Sequence, residues 1–394
     1  MYKKLNSYDV TLETLETLKR KINSFKSAVI NKSCFLGFDG YVDSLYSLVQ
    51  SRSSAKKWTR LNTMKSLGEL LINVAGSSAN IERVLKKRIF GGFAPNTSRA
   101  MSALGVKIFL VAALGIPNRD DFYLEQEGVE SISISNPGQT LGLEFDDGKV
   151  MITDFAPILN IDWNKILKHV SWEHLIQVLI QSDILGFGHW ALIPNLNDIW
   201  HHFLKELFPS ISNLKDKLFF VDIADIRKRT KRDILELISL LRKINDKIPV
   251  ILSVNDQEAY YLSEALDNTK TFTPYNENST DYIDGGKRLN TELNLSCLVI
   301  HSPHFATIST IEDHYWITEG FTSKPKFTVG AGDYFHSGTV LALSCGLTPP
   351  EAILMGNALT AIFVRTGNAP NINQLSRFIS RYMEFIDNDN PHFP

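Results

Sequence analysis

Short, nearly continuous apolar runs recur along the chain: Cys34 to Phe38, Ile108 to Leu114, Ile184 to Phe187, Leu218 to Ile223, Val250 to Val254 and Cys297 to Ile300. Runs this short that do not alternate with polar residues predict strands buried on both faces. Helical patterns fall between them, at 97–104, 197–207, 230–243 and 256–265, and Leu12, Leu15 and Leu18 predict an amphipathic helix within 9–25. Buried strands alternating with helices predict a mostly parallel sheet covered on both faces, joined by right-handed crossovers.

Two stretches break this rhythm. Residues 45–90 are long, polar and partly helical in pattern. Residues 129–155 read as strands at Ser131 to Ser135, Thr140 to Phe145 and Val150 to Phe155, with Asp146-Asp147-Gly148 as a hairpin turn between the last two. A small antiparallel element projecting from a parallel sheet suits a lid over a site at the strand ends. A decorative insertion explains the stretch equally well.

Composition narrows the classes. The 394 residues, 44% hydrophobic and 21% charged, suffice for one large α/β domain with an attachment or for two ordinary domains. A formal net charge of -2 gives no general attraction to nucleic acid or anionic membranes. The one dense basic run, Arg227 to Arg229 with Lys231 and Arg232, suits a solvated helix start more than an anion site. Cys34, Cys297 and Cys345 lie in or beside apolar runs without paired spacing, as buried thiols of a reducing compartment do. No run of 18 or more apolar residues occurs and no signal core follows the N-terminus, so a cytoplasmic protein is expected. The ten histidines form no His-Glu-x-x-His, and His201-His202 should lie exposed on a helix. A Gly-x-Ser-x-Gly elbow, a Walker-type loop and a dinucleotide fingerprint are all missing from the sequence.

The sharpest local feature is Thr328-Val329-Gly330-Ala331-Gly332-Asp333, which opens a helical run ending at Gly346. A capping box, Thr348 to Glu351 with Pro349 at a permitted position, starts the next helix. Glycines at a helix start let the backbone approach an oxyanion, and the helix dipole favours negative charge there. Asp333 on the first turn could take a proton from an attacking hydroxyl. An ordinary aspartate after a glycine turn is the competing explanation.

Three further features precede it in order. Gly37-Phe38-Asp39-Gly40-Tyr41-Val42-Asp43 comes off an apolar strand, Gly91-Gly92-Phe93-Ala94-Pro95-Asn96 precedes a helix, and Asn255-Asp256-Gln257-Glu258 joins a strand to a helix. Singly, Asn255 and Glu258 also suit a helix cap, Gly91-Gly92 a tight turn, and Asp39 and Asp43 solvated loop positions.

Taken together over about residues 33–370, these features resemble the PfkB or ribokinase-like family of sugar and nucleoside kinases. The resemblance implies a three-layer α/β/α fold with a mainly parallel sheet and a β lid, here a single domain over 1–394 with lid segments near 45–90 and 125–158. It implies transfer of a phosphate to a sugar or sugar-like hydroxyl, with Gly330, Ala331 and Gly332 as anion hole and Asp333 as base. Gly91, Gly92, Asn96 and Asp43, joined by Asp39, would bind the acceptor. Asn255, Glu258 and Thr328 would serve the nucleotide phosphates and Mg²⁺, the metal mainly through water. ATP is the implied donor, the family admits a monovalent cation, and a homodimer through the lid is the implied assembly.

The chain departs from that pattern in places. Phe327 stands where the family has aspartate before the Thr, and Ile300-His301-Ser302-Pro303-His304-Phe305 replaces a small nucleotide loop. His301 and His304 suit surface or packing roles, with nucleotide contact the competing role. The Gly37 to Asp43 opening looks more like the ADP-dependent sugar kinases of the same superfamily, which keeps ADP open as the donor. A nucleoside acceptor also fits the sequence, as does a ligand-binding homologue without turnover.

Overall fold

The computed structural model describes residues 2–117, 128–267, 272 and 280–393. Each apolar run named above becomes a strand of one sheet: β1 (Ser33–Phe38), β5 (Lys107–Ala112), β9 (Ile184–Phe187), β10 (Leu218–Asp222), β11 (Val250–Asn255) and β12 (Cys297–His301). With β6 (Val129–Ser133), β13 (Phe305–Thr310) and β14 (His314–Thr318) they form nine strands in the order β14-β13-β12-β11-β10-β9-β1-β5-β6. Every pairing from β6 to β12 is parallel, and only the hairpin β12-β13-β14 at one edge reverses direction. The chain starts at β1, moves outward through β5 and β6, then returns to build the other side from β9. The order therefore reverses beside β1, and a ligand crevice is expected at the carboxyl ends there.

Helices cover both faces. One core packs α4 (Ala156–Leu159), α5 (Trp163–His169), α6 (Trp172–Gln181), α7 (Leu196–His202), α8 (Lys231–Asn245), α9 (Asp256–Ala265) and α10 (Thr280–Leu293) against one face. A second core gathers α1 (Tyr2–Val29), α3 (Phe93–Ser102), α11 (Ala331–Ser344), α12 (Pro349–Thr366), α13 (Ile372–Ser380) and α14 (Tyr382–Asp387) against the other. This is the expected three-layer α/β/α arrangement. Among the described residues no helix is long and apolar enough to cross a membrane.

The lid is a separate five-stranded sheet of β2 (Tyr41–Arg52), β3 (Trp58–Arg60), β4 (Arg83–Gly91), β7 (Gly138–Phe145) and β8 (Gly148–Asp154), with α2 (Met64–Asn73) beside it. Residues 45–90, expected as polar and partly helical, are thus largely sheet. The strand signal in β4 is hidden because Arg83, Lys86, Lys87 and Arg88 interrupt its apolar positions. The β7–β8 hairpin forms with the expected Asp-Gly turn. The segment Ser131 to Ser135 does not join it, since β6 pairs parallel with β5 in the main sheet. Of the expected lid segment, residues 125–127 lie outside the described residues.

Smaller expectations also meet the structure. Cys34 and Cys297 are buried and Cys345 is only half-buried, all three as free thiols. His202 is half-buried rather than exposed, stacked on Trp163 with centroids 5.0 Å apart. The basic run starts in a short turn before α8 and only Lys231 and Arg232 open that helix, with Arg227, Arg229 and Lys231 paired to Asp225, Asp233 and Asp267.

Candidate active site

Gly330 heads α11 at φ 88°, a left-handed conformation that favours glycine, and Ala331 N–H bonds back to Thr328 O at 3.2 Å. Tyr334 N–H reaches Gly330 O, which leaves the N–H groups of Gly332 and Asp333 at the helix head for an oxyanion. Asp333 is buried, and its Oδ2 accepts from Asn96 Nδ2 at 2.7 Å. Burial pushes its carboxyl up to about 6, against the opposing pull of His189 and the Asn96 hydrogen bond. A carboxyl that titrates near neutrality results.

The expected acceptor residues gather on one side of Asp333. Asn96 sits in the first turn of α3, where its N–H bonds to Gly92 O at 3.1 Å. A Cβ on Gly91 would stand 3.2 Å from Asp43 Oδ2, and one on Gly92, at φ 106°, would stand 2.9 Å from Asp39 Oδ2. The two glycines thus let both carboxylates approach the α3 start. Asp43 lies on β2, half-buried, with its carboxyl raised by burial and partly held down by Thr140. Asp39 is fully buried and already engaged: Phe93 N–H and Ala94 N–H donate to it at 2.8 and 2.9 Å, and His189 Nδ1 lies 2.6 Å away. Asp39 thereby fixes the start of α3 and an imidazole beside it.

On the other side lies a cleft of about 570 Å³, within the usual range for a small-molecule site. Asn255, Asp256, Thr328, Ala331, Gly332 and His301 are among its walls. Asn255 and Glu258 do form a capping box for α9: Asn255 Oδ1 accepts from Glu258 N–H at 2.8 Å and Glu258 Oε2 from Asn255 N–H at 2.9 Å. Burial, then the neighbouring Asp222, raises the Glu258 carboxyl well above its ordinary range. Their hard oxygen donors fit Mg²⁺, which keeps several waters. Among the described residues no group of three or more His, Cys, Asp or Glu gathers to hold an ion directly.

Three residues that carried no sequence motif complete the site. Asp222 ends β10, and its Oδ1 accepts from His189 N–H and Ala224 N–H at 3.3 and 3.0 Å while its Oδ2 meets His336 Nε2 at 2.9 Å. Burial opposes its ionisation, yet His336 and His189 bring the carboxyl down to about 2. His189 and Ala224 both take positive φ, 55° and 54°, at the ends of adjacent strands, and one carboxylate pins both turns. For His189 burial disfavours the charged form, but the Asp39 carboxylate outweighs it and the imidazole rises to about 10. An imidazolium therefore bridges the ends of β1 and β9, where the strand order reverses. An aspartate or histidine just past a buried apolar strand was the available signal.

His301, expected in a surface or packing role, is half-buried with its ring 4.7 Å from that of Phe335 and also lines the cleft. Burial lowers it to about 3, so it stands neutral. The His304 ring lies tilted against Phe321, another cleft residue, with centroids 4.5 Å apart.

A model of the prokaryotic ketohexokinase family matches residues 10–382. The ketohexokinase of Haloferax volcanii is 28% identical over 355 residues, covering 89% of this chain and 92% of that protein. A carbohydrate kinase from Agrobacterium tumefaciens shares the fold with a TM-score of 0.60 at 16% identity, over 89% of this chain and 97% of its own. Arabidopsis thaliana ribokinase, solved with ribose and ATP, gives 0.60 at 13% identity over 88% and 98%.

Proposed function

The chain belongs to the prokaryotic ketohexokinase family of ribokinase-like sugar kinases, and from that premise we propose that it transfers the terminal phosphate of ATP to a hydroxyl of a ketohexose, with Asp333 as general base. The observation that carries the base assignment is the placement of Asp333. It is buried at the head of α11, held by Asn96 and raised to about 6, between the carboxylate-lined pocket and the cleft.

Asp43 accepts hydrogen bonds from acceptor hydroxyls and fixes which one faces Asp333, while Asn96 aims the base. Asp39 and His189 brace the start of α3. In the anion hole shaped by Gly330, Ala331 and Gly332, the N–H groups of Gly332 and Asp333 face the phosphate oxygens, and Thr328 closes the loop by accepting from Ala331 N–H. Asn255 and Glu258 would hold Mg²⁺ through water, and the metal when bound supplies charge neutralisation on the phosphates. Two copies pair through their lids, a reading favoured by exposed Leu71, Ile72, Leu85 and Ile152; light scattering that gives a monomer at assay concentration would remove it.

The test is ATP consumption with D-fructose, aldohexoses, D-ribose and nucleosides, and with ADP as donor in parallel. ATP with D-fructose should give the highest kcat/KM. A preference for ribose or nucleosides would overturn the acceptor, a preference for ADP the donor, and no turnover with any acceptor the enzyme reading itself.

A further inference from the structure

Among the described residues that line the cleft, no side chain brings a positive charge to a nucleotide triphosphate. Its walls include Asp256 and Glu319, and among its described lining residues there is no lysine or arginine. On the acceptor side, the imidazolium of His189 is committed to Asp39.

A cation reaches the anion hole from the lid instead. β4 pairs with β2 so that Lys87 stands opposite Leu45, Ile89 opposite Asp43 and Gly91 opposite Tyr41. The two-residue repeat of a strand places Lys87 on the lid face of Asp43 and Gly91. Its Nζ lies 5.0 Å over the ring of Phe327, the residue just before Thr328 in the loop that opens α11. The ring itself is fixed. Phe327 N–H bonds to Val364 O at 3.2 Å, and the ring fills the space beside Gly367, where a Cβ would stand 2.3 Å from it.

Four other lid cations are neutralised: Lys86 and Lys149 pair with Glu144, Arg52 with Glu82 and Arg60 with Asp146. Lys87 is exposed, and among the described residues no carboxylate pairs with it. A phenyl face holds an exposed ammonium only weakly, so its charge stays available to a stronger acceptor.

We propose that Lys87 is a further substrate-contacting residue of this kinase: it leaves the Phe327 face when the nucleotide binds and sets its ammonium on the terminal phosphate oxygens. There it would add a full positive charge beside the phosphoryl group in transfer, which no described side chain lining the cleft carries. Phe327 keeps the lysine beside the anion hole without consuming its charge. An aspartate at 327 would capture it in an ion pair.

The inference rests on the kinase reading above, so its test includes a readout independent of turnover. AMP-PNP and AMP, each with Mg²⁺ and D-fructose, are titrated calorimetrically into the wild type, Lys87→Met, Lys87→Arg and Phe327→Asp. Lys87→Met should weaken AMP-PNP about ten- to a hundredfold while changing AMP by less than about twofold, and Lys87→Arg should restore most of the loss. Phe327→Asp should weaken AMP-PNP in the same selective way. Unchanged AMP-PNP affinity in Lys87→Met, beside a wild type that binds it, overturns the Lys87 assignment alone. A wild type that binds AMP-PNP but phosphorylates nothing overturns only the kinase reading, and one that binds neither nucleotide overturns both.

Discussion

The helix that carries Asp333 and the lid that carries Asp43 face one site from opposite sides, and the chain builds them differently. Every residue of α11 from Asp333 to Ala342 is buried, and α11 packs against both α3 and α12. The lid has a small core of Leu48, Leu61, Leu143 and Phe145, and it leaves Leu71, Ile72, Leu85 and Ile152 exposed. A base must stay within hydrogen-bond reach of one proton, and dense packing holds it there. A lid must admit and release substrate, which calls for an element of low local stability. In the mechanism proposed above, the difference separates two tasks: α11 would set the chemistry, and the lid would set which acceptor arrives and when charge is supplied.

That division can be broken from either side. Asp333→Asn should produce the largest effect, lowering kcat by roughly 10²–10⁴-fold with AMP-PNP affinity little changed. Steady-state kinetics and calorimetry on the same protein would show it; near-normal kcat would contradict the base assignment. Asp43→Ala acts on the lid side. It should raise the acceptor KM about ten- to a hundredfold, with a smaller change in the nucleotide KM. An unchanged acceptor KM would place recognition elsewhere.

The same aspartate should show its cost in stability. Its folded pKa of about 6 lies above the ordinary 3.8, so the folded state holds the proton more tightly than the unfolded chain. Its contribution is full below the unfolded value and is lost as pH rises through about 6. Asp333→Asn should therefore be more stable than the wild type at about pH 8, by up to about 3 kcal/mol, and close to it at about pH 4. Urea unfolding at the two pH values measures this. Equal destabilisation at both would mean that the carboxylate is not strained by burial.

Much of the α/β body was legible because its strands are buried on both faces, so apolar runs such as Cys34 to Phe38 mark them without ambiguity. The lid was less legible. In β4 a row of lysines and arginines masks the strand, and β6 was grouped with its sequence neighbours although it pairs in the main sheet. The glycine-rich motifs located the two glycine turns and Asp333, since glycine at positive φ and an acid at a helix head leave a compact trace. Asp222 and His189 left only an acid and an imidazole near the end of an apolar run, and His336 left no trace. They are single residues at the ends of β9 and β10 and within α11, and only the sheet order brings them together. Lys87 was invisible for a related reason: its meaning depends on which face of β4 meets Phe327.

The most direct test of Asp333 as the base is the pH dependence of kcat/KM for ATP-driven phosphorylation of D-fructose, in the wild type and in Asn96→Ala. In the wild type activity should rise with pH through about 6, as Asp333 loses its proton. Removing the Asn96 amide, which favours the ionised form, should move that rise to higher pH. A wild-type profile flat across this range, or one that Asn96→Ala leaves in place, would contradict the assignment.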